Sequence, residues 1–201
     1  RIENYMCKLH FSLFTTSKWC FLYGIILIVL FRLFAGEIYF VDTPSMIPSI
    51  LPTEVYCVDK FSCGALLPRR FADIPIINVF TWIKPFRKMD EKNDWGFHRA
   101  PGFGEIQSGD VILFHAKDDE KTVLVKRIAN IVYENGEKYY YVLGDNANNS
   151  TDSRHFGLVP DSLVIGKATY ILFSWDKQAK GLQKIRWQRI GYNISNKRKE
   201  K

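Results

Sequence analysis

The feature that most constrains this chain is an uncharged apolar run, Trp19 to Phe31 (WCFLYGIILIVLF). A helix that is apolar on every side needs either lipid or a large core around it. Counted through Arg32 to Gly36, the run covers eighteen residues, and a bilayer span takes roughly 17–25. Arg32 sits near the far end, where its head can reach the phosphate layer. A buried core helix is the alternative, but a chain of 201 residues leaves little room for the core it would need. A cleaved secretory leader is a second alternative, since Ala35-Gly36 are small residues after an apolar stretch. Glu37-Ile38-Tyr39-Phe40-Val41 follows without a linker, which favours an uncleaved anchor at 19–36. Arg1, Lys8 and Lys18 precede the run, and Glu37 and Asp42 follow it. Positive-inside then places residues 1–18 in the cytoplasm and the body across the membrane.

The charge distribution agrees with that division. The net charge is +7, but residues 1–36 carry +3, residues 37–174 carry −3 and residues 175–201 carry +7. A mildly acidic body argues against a nucleic-acid groove. The basic end, 176–201, reads as a tail. Lys184 to Ile190 mixes cations with apolar residues and suits a lipid headgroup surface, and Asn196–Lys201 suits solvent.

Within the body, 37–175, alternating apolar stretches predict strands at Glu54–Phe61, Val111–Phe114, Thr122–Val132, Lys138–Leu143 and Val164–Trp175. Asn135-Gly136 between two of them is a strong hairpin signal. The fold class expected is mostly β, with one N-terminal transmembrane helix. Residues 62–107 have aromatics, prolines and glycines without a clear period, and read as an inserted lobe or loop of unassigned fold. Cys57 and Cys63 lie beyond the anchor, in a compartment that permits disulfides, and a pairing between them stays open. No Cys/His set has metal spacing, so no metal or cofactor is expected. Asn148, Asn149 and Asn193 match the short glycosylation pattern, which is too common to weigh.

Three segments carry chemistry. Thr43-Pro44-Ser45-Met46-Ile47-Pro48 brackets a serine with two prolines, which keep it out of a regular ladder. A plain linker turn is the competing reading. In Val123-Leu124-Val125-Lys126-Arg127-Ile128-Ala129, strand periodicity puts Leu124, Lys126 and Ile128 on one face and Val125, Arg127 and Ala129 on the other. A lysine held between two large apolar neighbours has a depressed pKa and can act as a general base; an edge-strand lysine that blocks aggregation is the alternative. Gly144 to Arg154 (GDNANNSTDSR) is dense in small polar side chains that build turns. His98, His115 and His155 have no Gly-x-Ser-x-Gly elbow or other triad context.

Together these segments resemble the bacterial type I signal peptidases, membrane-bound serine proteases that remove signal peptides from exported proteins. The nucleophile box stands as Pro44-Ser45-Met46-Ile47-Pro48. The Ser-Gly-Asp box stands as Ser108-Gly109-Asp110-Val111-Ile112, and the lysine box as Val125-Lys126-Arg127. A long box runs from Gly144 to Pro160 almost without a gap. The resemblance covers residues 19–175, with 62–107 unmatched.

The resemblance implies that Ser45 is the nucleophile and Lys126 the general base, a Ser-Lys variant of triad logic. It implies an oxyanion hole from the Ser45 N–H and the Thr43 hydroxyl, with Ser150 orienting the lysine. Asp152 and Arg154 are implied to brace the site, together with Asp145 and Asn149. The partners implied are signal peptides ending in a small-x-small motif, membrane lipids and the export machinery, at a bacterial cytoplasmic membrane. The substrate would add as a strand beside the lysine strand, with Ile47 and Leu124 near its pockets. Val41, Met46, Ile47 and Ile50 are expected to dip into the bilayer. Two departures stand out: Ala129-Asn130 replaces a Gly-Leu-Pro-Gly-Asp turn, and Ala147 stands where arginine is common. Competing readings are a repressor-type Ser-Lys autoprotease, which would lack the apolar run, and an inactive membrane-anchored binding protein on the same scaffold.

Overall fold

The structure, a computed structural model, describes residues 2–74, 76–96, 98–119 and 122–195, with side chains from Lys18 onward except those of Val41 and Leu182. The expectations for Arg1 and for Asn196–Lys201 lie outside the described residues.

The chain opens with helix α1 (Ile2–Phe34), 33 residues long. It begins well before Trp19 and stops short of Gly36. The Ala35 N–H closes on the Phe31 carbonyl at 2.8 Å, and Gly36 already pairs with Asp59 as the first residue of strand β1 (Gly36–Val41). Among the described residues no helix is long and apolar enough to cross a membrane. Lys18 and Arg32 bracket an uncharged stretch shorter than the roughly 17–25 residues of a span. Most side chains of that stretch are nonetheless open to solvent, with Phe21, Leu27, Ile28 and Phe31 each about two-thirds exposed or more, and only Gly24, Ile25 and Val29 are half-buried.

The body is a seven-stranded antiparallel sheet in the order β1-β2-β7-β3-β4-β5-β6. Its further strands are β2 (Glu54–Asp59), β3 (Val111–His115), β4 (Val123–Glu134), β5 (Glu137–Leu143), β6 (Val159–Pro160) and β7 (Val164–Ser174). Helix α2 (Lys84–Lys92) lies in the inserted lobe, and α3 (Ser153–Phe156) precedes β6. All five strands read from the sequence are present within one or two residues of their expected ends. The β4–β5 hairpin turns at Asn135-Gly136, both at positive φ, which supplies the twist a two-residue hairpin needs. Two strands escaped the sequence reading. β1 is continuous in hydropathy with the helix before it, and β6 has only two residues.

Both faces of the sheet bury a core. Val111, Leu113 and Val125 point to one side, with Met46, Ile50, Tyr56, Val58 and Ile171. Ile112, Phe114 and Ile128 point to the other, with Tyr140, Val142 and Val164. This corrects one expectation: Met46 and Ile50 are fully buried and cannot dip into a bilayer. Each contributes roughly 1.5–3 kcal/mol of burial to the domain, which fixes the segment around Ser45. The apolar residues exposed in that region are instead Ile38 and Phe40 of β1.

The C-terminal segment also differs from a trailing tail. Trp175 bridges Ile185, Tyr170 bridges Asn193, and Ile194 is fully buried in the first core. Arg189 forms a bidentate pair with Glu54, which is itself fully buried. The basic residues of 176–195 are therefore partly structural. Cys57 and Cys63 are both free thiols; the Cys63 Sγ faces the carbonyls of Asp59 and Lys60.

Candidate active site

Ser45 lies in a short 3-10 turn, Pro44–Met46, that follows β1. Pro44 presets the turn, and the buried Met46 side chain pins its far end. The turn packs against β4 and against a second 3-10 turn, Ala147–Asn149. Ser45 itself is half-buried. Its carbonyl accepts the Asn146 N–H at 3.0 Å, and the Asn146 side-chain amide donates to the Pro44 carbonyl at 3.1 Å. Its own N–H makes no hydrogen bond among the described residues. Thr43, immediately before the turn, is exposed and its hydroxyl is uncommitted there.

Lys126 is 3 % exposed. In β4 it pairs with Ile112 of β3, and its neighbours along the same face, Leu124 and Ile128, pack into the second core. Burial disfavours the ammonium, and this outweighs the pull of Asp152 and Asp145 in the other direction. The Lys126 pKa is therefore lowered. Among the described residues the Lys126 amine and the Ser45 hydroxyl make no direct hydrogen bond.

The Gly144–Arg154 loop closes the site. Asp152, fully buried, caps α3. It accepts from the Gly144 N–H at 3.0 Å and from Arg154 through Nε at 2.8 Å and Nη2 at 2.9 Å. These bonds, the Arg154 pair first, hold its carboxyl well below the usual range even though burial opposes them. The Ser150 hydroxyl oxygen is buried and makes no hydrogen bond of good geometry. It lies close enough to Asp152 to favour the carboxylate further. A buried hydroxyl left without a full partner is costly.

Of the residues expected to brace the site, Asp145 pairs with Arg127 and Asp152 with Arg154. Asn149 is exposed, and only its backbone N–H is engaged, with the Asn146 carbonyl at 3.0 Å. Asn146 is the residue of this loop that bonds the Pro44 and Ser45 carbonyls. The sequence reading also left Arg127 without a role. Its guanidinium makes a bidentate pair with Asp145 (2.8 and 2.7 Å), donates to the Gly109 carbonyl at 2.7 Å and to Ser49 Oγ at 2.9 Å. One side chain thus joins the serine segment, the Ser108-Gly109-Asp110 turn and the Gly144 loop. The available signal was the adjacency of Arg127 to Lys126, on the opposite face of the same strand. Ser108 Oγ donates to the Ala129 carbonyl at 2.8 Å, where β4 bulges against β5 in place of the missing turn. Among the described residues no three His, Cys, Asp or Glu side chains are grouped to hold a metal ion.

Ser45 thus stands on a short turn packed against the strand that carries the buried Lys126. The family model described as signal peptidase, peptidase S26, matches residues 14–132 and 134–174. The chain belongs to this family. It is 29% identical over 159 residues to a probable signal peptidase I-2 of Synechocystis, covering 72% of this chain and 66% of that protein. It is 36% identical over 89 residues to mitochondrial ATP-independent inner membrane protease subunit 1a of Arabidopsis thaliana, covering 35% of this chain and 53% of that protein. A segment of 43 residues is 49% identical to signal peptidase I of Haemophilus influenzae, covering 21% of this chain and 12% of that protein. The last two matches span about half or less of the relatives' own length.

Proposed function

We propose that this chain is a membrane-bound serine endopeptidase that cleaves signal peptides from exported preproteins after a small-x-small motif. Ser45 is the nucleophile and Lys126 the general base. The neutral Lys126 amine takes the Ser45 proton as Oγ attacks the scissile carbonyl carbon. The Ser45 N–H and the Thr43 hydroxyl donate to the developing oxyanion, and one such donor is worth roughly 2.7–4 kcal/mol. The Lys126 ammonium then protonates the leaving amine, and the amine so restored activates water to hydrolyse the acyl-enzyme. Ser150 orients the lysine. The observation that carries this reading is Lys126, buried and with a lowered pKa between Leu124 and Ile128, on a strand that packs against the Ser45 turn.

The membrane part rests on α1. Its uncharged stretch, Trp19–Phe31, leaves Phe21, Leu27, Ile28 and Phe31 open to solvent, and an apolar surface of that extent needs a lipid cover. Arg32 pairs with Glu37 at 3.1 Å where α1 meets the domain, a polar collar suited to the headgroup layer. The N-terminus then lies in the cytoplasm and the catalytic domain on the far side, with preproteins and the export machinery as partners.

The test is direct. The purified protein in detergent is incubated with a preprotein beside Ser45→Ala and Lys126→Ala. Wild type is expected to cut after the signal peptide and both variants to lose the activity. A wild type that leaves the preprotein intact, or a variant that cuts as fast, sinks the mechanism. An inactive binding protein on this scaffold predicts the first of those failures.

A further inference from the structure

The inserted lobe has no part in the chemistry above. Its roots are polar and firmly held: Leu66 bridges Arg99, whose guanidinium donates to the Gly64 carbonyl at 2.7 Å and the Asp161 carbonyl at 2.6 Å. Its outer part is built differently. A 3-10 turn, Ile77–Trp82, runs almost directly into α2. Along it Ile76, Val79, Phe80, Trp82, Ile83 and Phe86 are between 46 and 77 % exposed. Phe80 and Phe86 lie together, ring centroids 6.5 Å apart. Single exposed apolar residues are ordinary, but this many in one short segment form a patch that asks for a cover.

Polar contacts hold the segment in this shape. Asp90, buried on the inner side of α2, accepts the Phe71 N–H at 2.8 Å. Arg87 Nε donates to the Thr81 carbonyl at 3.2 Å. The apolar side chains are left facing outward, flanked by Lys84, Arg87 and Lys88. The patch also begins where α1 meets the domain: Ala72, Asp73 and Asn78 of the lobe line one cleft with Arg32 and Leu33. If α1 is in the membrane, the lobe is held at its surface.

We propose that the segment Ile76–Phe86 is a second membrane contact, seated in the headgroup zone of an anionic bilayer. The apolar side chains enter the acyl boundary, and Lys84, Arg87 and Lys88 lie among the phosphates, as an interfacial amphipathic segment requires. This rests on the reading that α1 is embedded in the membrane. One helix leaves the domain able to swivel about its axis. A second contact removes that freedom and sets the height of the body above the lipid.

The full chain tests this. Its four cysteines are replaced by serine, Phe80→Cys carries an environment-sensitive fluorophore, and the protein is reconstituted into phosphatidylcholine–phosphatidylglycerol vesicles. An unchanged circular dichroism spectrum and melting curve establish that the variant folds. Bromine on the acyl chains should quench the label, and aqueous iodide should lose access to it. In pure phosphatidylcholine the seating should weaken by roughly fivefold for each cation at the surface. Alkaline extraction reports on α1 separately. A chain that stays with the vesicles while iodide quenches its label overturns the second contact and leaves the anchor. A label shielded from both quenchers shows a protein contact and also overturns it. A chain released by alkali whose label is quenched by bromolipid before extraction keeps the second contact and overturns the anchor.

Discussion

Gly144 and Ser150 are packed so closely that a methyl group on Gly144 would fall inside the Ser150 hydroxyl, and would stand 2.7 Å from the Ser45 carbonyl oxygen. Glycine at 144 is therefore a condition for bringing the serine turn and the Ser150 loop to the same place. The Gly144 N–H, held by Asp152 at 3.0 Å, fixes the approach from the other side.

Gly144→Ala should accordingly push Ser45 and Ser150 apart. The fold is expected to lose about 1–3 kcal/mol through overpacking. Signal-peptide cleavage should fall further, on the order of a hundredfold for a displacement near 1 Å. Thermal melts and kcat/KM on one peptide substrate measure both. Full activity in the alanine variant would show that the loop yields without cost.

Lys126 should set the pH dependence. Its pKa is lowered by burial, and a base works only when deprotonated, so kcat/KM should rise with pH through an apparent pKa below the ordinary lysine value of 10.5. Leu124→Ser admits water beside the amine and should move that limb to higher pH. A limb that stays in place with Leu124→Ser would mean that another group carries the titration.

The same burial carries a stability cost. The folded pKa lies below the unfolded one, so between the two values the unfolded chain binds more protons and stability rises with pH. Below the folded pKa the penalty is fully present. Lys126→Met should therefore stabilise the inactive protein at pH 7, by about 1 kcal/mol or more, and flatten the rise at alkaline pH. Denaturant titrations at pH 7 and pH 10 decide it; a variant less stable than wild type at pH 7 contradicts the argument.

Arg127→Lys keeps the charge but cannot reproduce the fork that grips Asp145, Gly109 and Ser49. A loss of about 2–3 kcal/mol is expected from the charge-assisted bonds given up. Activity should fall with it, because three segments of the site lose their common tie. Urea denaturation beside kinetics at a permissive temperature separates the two effects, and an unchanged midpoint would remove Arg127 from the framework.

Arg189→Ala tests the C-terminal segment. It strands the Glu54 carboxylate, fully buried and otherwise bonded to the Leu51 N–H and Ser174 Oγ. A cost of about 3–5 kcal/mol is expected, with kcat little changed at low temperature. A variant as stable as wild type would restore the picture of a loose tail.

Much of this molecule could be read from its residues in order. The alternation in Val111–Phe114 and Val164–Ser174 announced strands, and Asn135-Gly136 announced their hairpin, because these signals are local and the side-chain period of a strand is two. Leu124, Lys126 and Ile128 sharing a face follows from the same period, and with it the desolvation of the amine. The Ser45, Lys126 and Gly144–Arg154 motifs were legible as spelling. The grip of Arg127 on Ser49 and Asp145, the bonds of Asn146 to the Pro44 and Ser45 carbonyls, the burial of Met46 and Ile50, and the return of Arg189 to Glu54 were not. Each depends on contacts between residues far apart in the chain. Sequence by itself determined the strands and which of their side chains share a face. Only the tertiary structure decided which distant partners hold them there, because hydrogen-bond geometry and close packing are properties of segments brought together, not of the segments themselves.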